Sequence, residues 1–133
     1  MVVPAEAYSV KVVRFDDDHK EMFSIMNGLH NAMSSGKGAL VVRQIVAELV
    51  NHAKCHFSAE EEAMEKTKYP ELTSHRLEHQ EMLRQVEQFQ QEIASGKFVS
   101  SVTVAEFLDK RLIAHTRKTD QKYSEHLNAN GIF

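Results

Sequence analysis

Two pairs of side chains set the chemistry of this chain: His56 and Glu60, and His75 and His79. Each pair is spaced four residues apart, which on a helix puts both members on one face, a turn apart. A Tyr69-Pro70 break separates them, so each pair offers half a grip on a cation. His19, His115 and Asp120 complete a set of five imidazoles and two carboxylates. Such residues bind divalent metals, and a set this large exceeds what one ion needs. If both carboxylates bridge two six-coordinate ions and one oxygen bridges them as well, a single position is left for a small ligand. Zinc favours four ligands and often thiolates, so an imidazole-rich, carboxylate-bridged set points to iron or manganese.

The surrounding sequence supplies elements able to position these groups. At 133 residues the chain has the size of one domain, and with only 2 prolines and 5 glycines it contains few breaks. Residues 1–15 read as an extended N-terminal arm. Asp16-Asp17-Asp18 then offers N-cap candidates for a helix over about 17–35, whose apolar stripe is Met22, Phe23, Met26, Leu29 and Met33. Further amphipathic stretches predict helices over about 39–66, 71–94 and 101–127. Short loops between them imply an all-α, up-down-up-down antiparallel four-helix bundle in a single domain, 1–133.

Alternating direction brings all seven candidate ligands to one end of that bundle. From the Gly36-Gly38 turn, His19 lies about 17 residues back and His56 about 19 forward, so both sit roughly 25 to 29 Å along the axis. A layer of polar side chains in an apolar core is costly unless something satisfies it, and a metal does so.

Composition narrows the alternatives. A net charge of −3 with scattered lysines offers no basic stripe for nucleic acid. No apolar run approaches a membrane span and no signal-peptide pattern is present, so a cytoplasmic location is expected, in keeping with the single cysteine, Cys55. Cys55 reads as a small buried thiol, the methionines as core filling, and Glu61 and Glu62 as solvated charges. His126 is expected in solvent and His30 in a core or surface hydrogen bond. His52, one turn before His56, reads as a supporting or channel histidine and not as an eighth ligand.

Four pieces in order, Asp16-Asp17-Asp18-His19-Lys20 with Asn27, His56-Phe57-Ser58-Ala59-Glu60-Glu61, His75-x-x-x-His79 and His115-x-x-x-x-Asp120, resemble the bacterial single-domain members of the hemerythrin family. The resemblance spans most of the chain. It implies two non-heme irons in an oxo- or hydroxo-bridged pair: one held by His75, His79 and His115, the other by His19 and His56, with Glu60 and Asp120 bridging. It further implies reversible dioxygen binding for carriage, storage or supply, with nitric oxide or azide as other small ligands and no catalytic residue. A di-iron enzyme or scavenger (ferroxidase, peroxidase or nitric oxide handling) and an oxygen or redox sensor are the alternatives. Three positions depart from the family pattern: His52 where tyrosine is common, Arg111 where tryptophan is common, and Thr116 where isoleucine is common. Together they predict more polar surroundings for the pocket.

Overall fold

The computed structural model describes residues 9–133. Helix α1 spans Val13–Ser34, α2 Gly38–Lys66 and α3 Leu72–Ala94. A fourth rod, residues 101–129, starts as α4 (Ser101–Phe107) and ends as α5 (Ser124–Ala129). Between them run two wide π-helical stretches, Leu108–Leu112 and His115–Thr119, and a tight 3₁₀ turn, Asp120–Tyr123. The four rods form an antiparallel bundle, α1 against α2, α2 against α3, and α4 against α1 and α2. Among the described residues, no helix is long and apolar enough to cross a membrane.

The chain reverses where its backbone turns left-handed. Gly36 (φ 73°) ends α1 and Gly96 (φ 87°) ends α3, each followed by a lysine whose N–H caps a carbonyl five residues back. Glycine adopts this conformation without a Cβ penalty. Lys68 does the same work after α2 at φ 56°, where an L side chain is strained, while Tyr69 N–H closes on Met64 O at 2.9 Å.

The start of α1 differs from the expectation of an extended arm to residue 15; residues 1–8 of that arm lie outside the described region. Residues 13–15 are helical, and the helix follows Val12 without a side-chain cap. Burial of Val10, Val12 and Phe15 in a small apolar cluster stabilises this earlier start. Asp16 therefore sits inside the first turn instead of capping it, and its carboxylate accepts from Val10 N–H (2.7 Å) and the Ser9 hydroxyl (2.8 Å).

The core is divided in two. A large cluster fills the half nearer the Gly36 turn, with Met26, Leu29, Val46, Leu49, Val86, Val104 and Leu108 at its centre. A smaller one closes the far end around Phe15, Met64, Tyr69, Tyr123 and Leu127. In every rod the candidate ligands fall at the boundary: His19 between Phe15 and Met22, His56 and Glu60 between Ala53 and Met64, His75 and His79 between Leu72 and Met82, and His115 and Asp120 between Ile113 and Tyr123.

Candidate metal centre

Each of the seven polar side chains at this boundary is buried, Glu60 and His19 completely. Their atoms approach one another closely: His75 Nε2 and His115 Nε2 each lie 2.9 Å from Asp120 Oδ1, His19 Nε2 lies 3.2 Å from Asp120 Oδ2, and His56 and His79 Nε2 lie 3.3 and 3.2 Å from Glu60 Oε1. Proximity here is not hydrogen bonding. The Nε2 atoms of His56, His75, His79 and His115, Glu60 Oε1 and both Asp120 oxygens have no hydrogen-bond partner although they are shut off from solvent. Orphaned buried polar atoms are rare and cost about 1–3 kcal/mol each, so seven in one layer call for a cation. Two overlapping sets result, Glu60, His75, His79, His115 and Asp120 in one and His19, His56, Glu60 and Asp120 in the other, with the two carboxylates common to both.

The broken fourth rod explains how His115 and Asp120 share a site. Five residues apart on a regular α-helix they would point about 140° away from each other. The π-helical stretch His115–Thr119 widens the turn so that residues five apart come into line, and the tight turn that follows restores the phase. The regular helix expected over 101–127 is therefore corrected at the position where the ligand spacing departs from helical periodicity.

The histidines are held by carboxylates that sequence reasoning assigned to other duties or overlooked. Asp18 Oδ2 accepts from His56 Nδ1 at 2.8 Å, Glu61 Oε2 from His79 Nδ1 at 2.8 Å, and Glu78 Oε1 from His115 Nδ1 at 3.4 Å. With the proton on Nδ1, the Nε2 lone pair faces the centre. A single rule describes all three: each acid is the chain neighbour of a ligand on one rod and orients a histidine on the next rod round the bundle. A residue one position away on a helix points about 100° round, toward the adjacent rod. That offset was the available signal. Glu61, expected to be solvated, also accepts from Arg76 Nε at 3.0 Å. Tyr123, fully buried, donates its hydroxyl to Glu60 Oε2.

Electrostatics fit the same picture. Burial alone pushes His19, His56 and His79 down, but the Glu60 and Asp120 carboxylates outweigh it and raise them to about 9, about 10 and about 8. Glu60 is held well below the usual carboxylate range, its burial outweighed by the imidazole of His56 and by those of His19 and His79 beside it. Burial, then Glu60 and Asp120, pushes the Tyr123 phenol well above its ordinary value. The layer thus concentrates negative charge that positive charge must answer.

Several peripheral expectations change. Cys55 is exposed, because it faces about 100° away from His56. His126 is not solvated: its Nε2 lies 2.8 Å from Thr67 O and its ring lies against Tyr69. His30 pairs with Asp109 at 3.2 Å, as a hydrogen-bonded histidine should. Arg111 is exposed, and Thr116 is buried with its hydroxyl bonded to Leu112 O in its own rod (3.1 Å), so neither offers the pocket a free polar group. His52 stacks on His56, rings 12° from parallel with centroids 5.8 Å apart. It belongs to neither ligand set.

Fold and site together define a four-helix-bundle metalloprotein with a two-ion cage of shared carboxylates and flanking imidazoles. Residues 10–127 match the family model "Hemerythrin HHE cation binding domain", and the chain belongs to the hemerythrin family. It is 27% identical over 129 residues to the bacteriohemerythrin of Methylococcus capsulatus, covering 97% of this chain and 98% of that one. It is 29% identical over 115 residues to that of Stenotrophomonas maltophilia, covering 86% and 74%. A crystal structure of wild-type hemerythrin superposes with a TM-score of 0.85 at 25% identity, covering 96% of this chain and 97% of that one. The family binds a pair of non-heme irons, and the converging, unpartnered nitrogens and oxygens of this layer suit that group.

Proposed function

We propose that this protein binds dioxygen reversibly at its di-iron centre and serves as an oxygen carrier, store or supply partner, not as an enzyme. In this reading His75, His79 and His115 hold one iron, His19 and His56 hold the other, and Glu60 and Asp120 serve both. Iron held there would supply reversible electron transfer to a small bound gas. The chain's own residues do the rest.

Asp18, Glu61 and Glu78 keep the imidazole Nε2 atoms turned inward, which favours retention of both ions over loss of either. Phe57 stacks face to face on His79 with centroids 4.0 Å apart, and the apolar cluster beside the layer keeps bulk water out. The Tyr123 hydroxyl touches the layer at Glu60, but its proton is committed to that carboxylate and its acidity suppressed, so it is a poor proton donor to anything bound.

The observation that carries this reading is a small apolar pocket of about 10 Å³ touching His56, walled mainly by Met22, Leu49, Phe57, Met82 and Leu112. It has room for about one water-sized molecule, the scale of a diatomic gas. The test is metal analysis with an absorption spectrum of the reduced protein before air, in air and after air is removed. Two irons per chain and a spectrum that appears and then reverses support the reading. Irreversible oxidation in a single exposure, or continued turnover of a reductant, contradicts it in favour of an enzyme. We place the protein in the cytoplasm, where an exposed thiol such as Cys55 stays reduced.

A further inference from the structure

The end of the bundle opposite the metal layer carries a surface that gas binding leaves unused. Two turns close it, at Gly36 and Gly96, and α2 and α4 start from it. The two halves of this end are packed together: a Cβ on Gly38 would lie 2.6 Å from Ser101 Oγ. Among the described residues, three of the six large apolar side chains left exposed lie here, Phe98 at 85%, Leu40 at 80% and Val102 at 51%. Phe98 follows the Gly96 turn and directly precedes Val99, which is buried and anchors the loop. Leu40 and Val102 stand in the first turns of α2 and α4. A helical side chain leans toward the N-terminus of its helix, which here is the end face. The three thus project from the end and do not line the neighbouring groove of about 420 Å³ between α2 and α3.

Charge at this end departs from that of the whole. The chain carries a net charge of −3, yet no acid occurs between Glu21 and Glu48 or between Glu92 and Glu106, the segments that build the end face. Those segments hold Lys37, Arg43 and Lys97, all exposed. Neither α2 nor α4 has an acid in its first turn, where the helix dipole favours one. The flanking carboxylates of Glu48 and Glu92 are engaged one turn away, by the side-chain amides of Gln44 (3.0 Å) and Gln88 (3.1 Å). Projecting apolar groups ringed by cations therefore form one continuous end of the molecule.

We propose that this end is a docking face for an anionic lipid bilayer: Phe98, Leu40 and Val102 enter the headgroup boundary while Lys37, Arg43 and Lys97 meet the acidic headgroups. Such a contact needs no spanning helix, only apolar groups to bury and cations to hold them at the surface. The same charge argues against a second copy as the occupant, since two such faces would set like charges against each other. Docked in this way the bundle stands on its apolar half, and the metal layer and the open cleft of about 490 Å³ beside His56 lie away from the lipid. The face contains no candidate metal ligand, so the proposal stands or falls independently of the di-iron reading.

Sedimentation of the full chain with lipid vesicles tests this. Phosphatidylcholine vesicles containing about a third phosphatidylglycerol should carry the protein down, phosphatidylcholine alone should not, and raised salt should release it. Lys37→Glu combined with Lys97→Glu should weaken binding at least about tenfold, as should Phe98→Ser combined with Leu40→Ser, whereas Lys66→Glu, at the far end of α2, should not. Every altered side chain is exposed, so helicity and melting temperature should stay close to those of the wild type. The chain contains no tryptophan, so Phe98→Trp supplies a single probe whose emission should shift to the blue on anionic vesicles and be quenched by brominated lipid. Equal binding to neutral vesicles, or binding untouched by these substitutions, would overturn the proposal. A wild-type dimer that Phe98→Ser makes monomeric would give the face to a second copy, and a monomer that ignores anionic vesicles would leave it to an acidic protein. Either result overturns the lipid assignment.

Discussion

Among the described residues, the buried side chains between the Gly36 turn and the level of Leu49 are apolar, yet two turns further along α2 the same inward stripe carries His56 and Glu60. Both regions are equally sealed from water. In the first, stability comes from removing hydrocarbon from water, about 1.5–3 kcal/mol for each large side chain. In the second, the same seal leaves imidazoles and carboxylates without partners and so spends part of that stability. The difference teaches that the apolar half is a scaffold able to hold the polar layer in place before any ion arrives.

Substitutions separate the two regions. The largest effect is expected for Asp120→Ala, which removes a carboxylate common to both ligand sets: iron analysis should find neither ion retained in full, and chelation should no longer lower the melting temperature. Leu29→Ala, fully buried in the apolar half, should cost about 2–5 kcal/mol in denaturant unfolding while keeping both irons. If Leu29→Ala also emptied the site, the division into scaffold and layer would be wrong.

The supporting carboxylates come next. Glu61→Gln and Asp18→Asn should each weaken metal retention by about 10–100-fold in chelator competition, with the helical signal unchanged. An unchanged affinity would show that the ring of acids is only surface charge.

Acidity distinguishes the layer in another way. In the metal-free chain His19, His56 and His79 have folded-state values raised above 6.5, so they contribute stability that is complete below pH 6.5 and lost as pH rises through about 8 to 10. Iron binding needs those imidazoles deprotonated, so the loaded chain should instead weaken as pH falls. Melting curves at several pH values, with and without iron, should slope in opposite directions. The smallest effect is expected at Lys68: replacing it by glycine relieves a left-handed backbone and should stabilise the fold by about 0.5–1 kcal/mol without altering iron content.

The regular parts of this molecule were open to reading from sequence because burial and periodicity agree there. In α2 and α3 the apolar stripes run unbroken into the ligand pairs, and four-residue spacing needs nothing but an ordinary helix. The seven side chains brought together are those the sequence singled out. What escaped reading lies where local rules yield to tertiary ones. The five-residue interval from His115 to Asp120 conflicts with an α-helix, and only the closed site repays the widened turn. Val13–Phe15 look extended by composition but fold as helix because Phe15 has a cluster to enter. The roles of Asp18, Glu61 and Glu78 depend on which rod stands beside which, a fact that no single helix carries.

Anomalous diffraction from crystals of the iron-replete protein, collected on either side of the iron absorption edge, tests the central claim most directly. Two peaks are predicted in the layer between the apolar clusters, one bordered by His75, His79 and His115, the other by His19 and His56, with Glu60 and Asp120 touching both. A single peak, or iron bound anywhere but between those side chains, would contradict it.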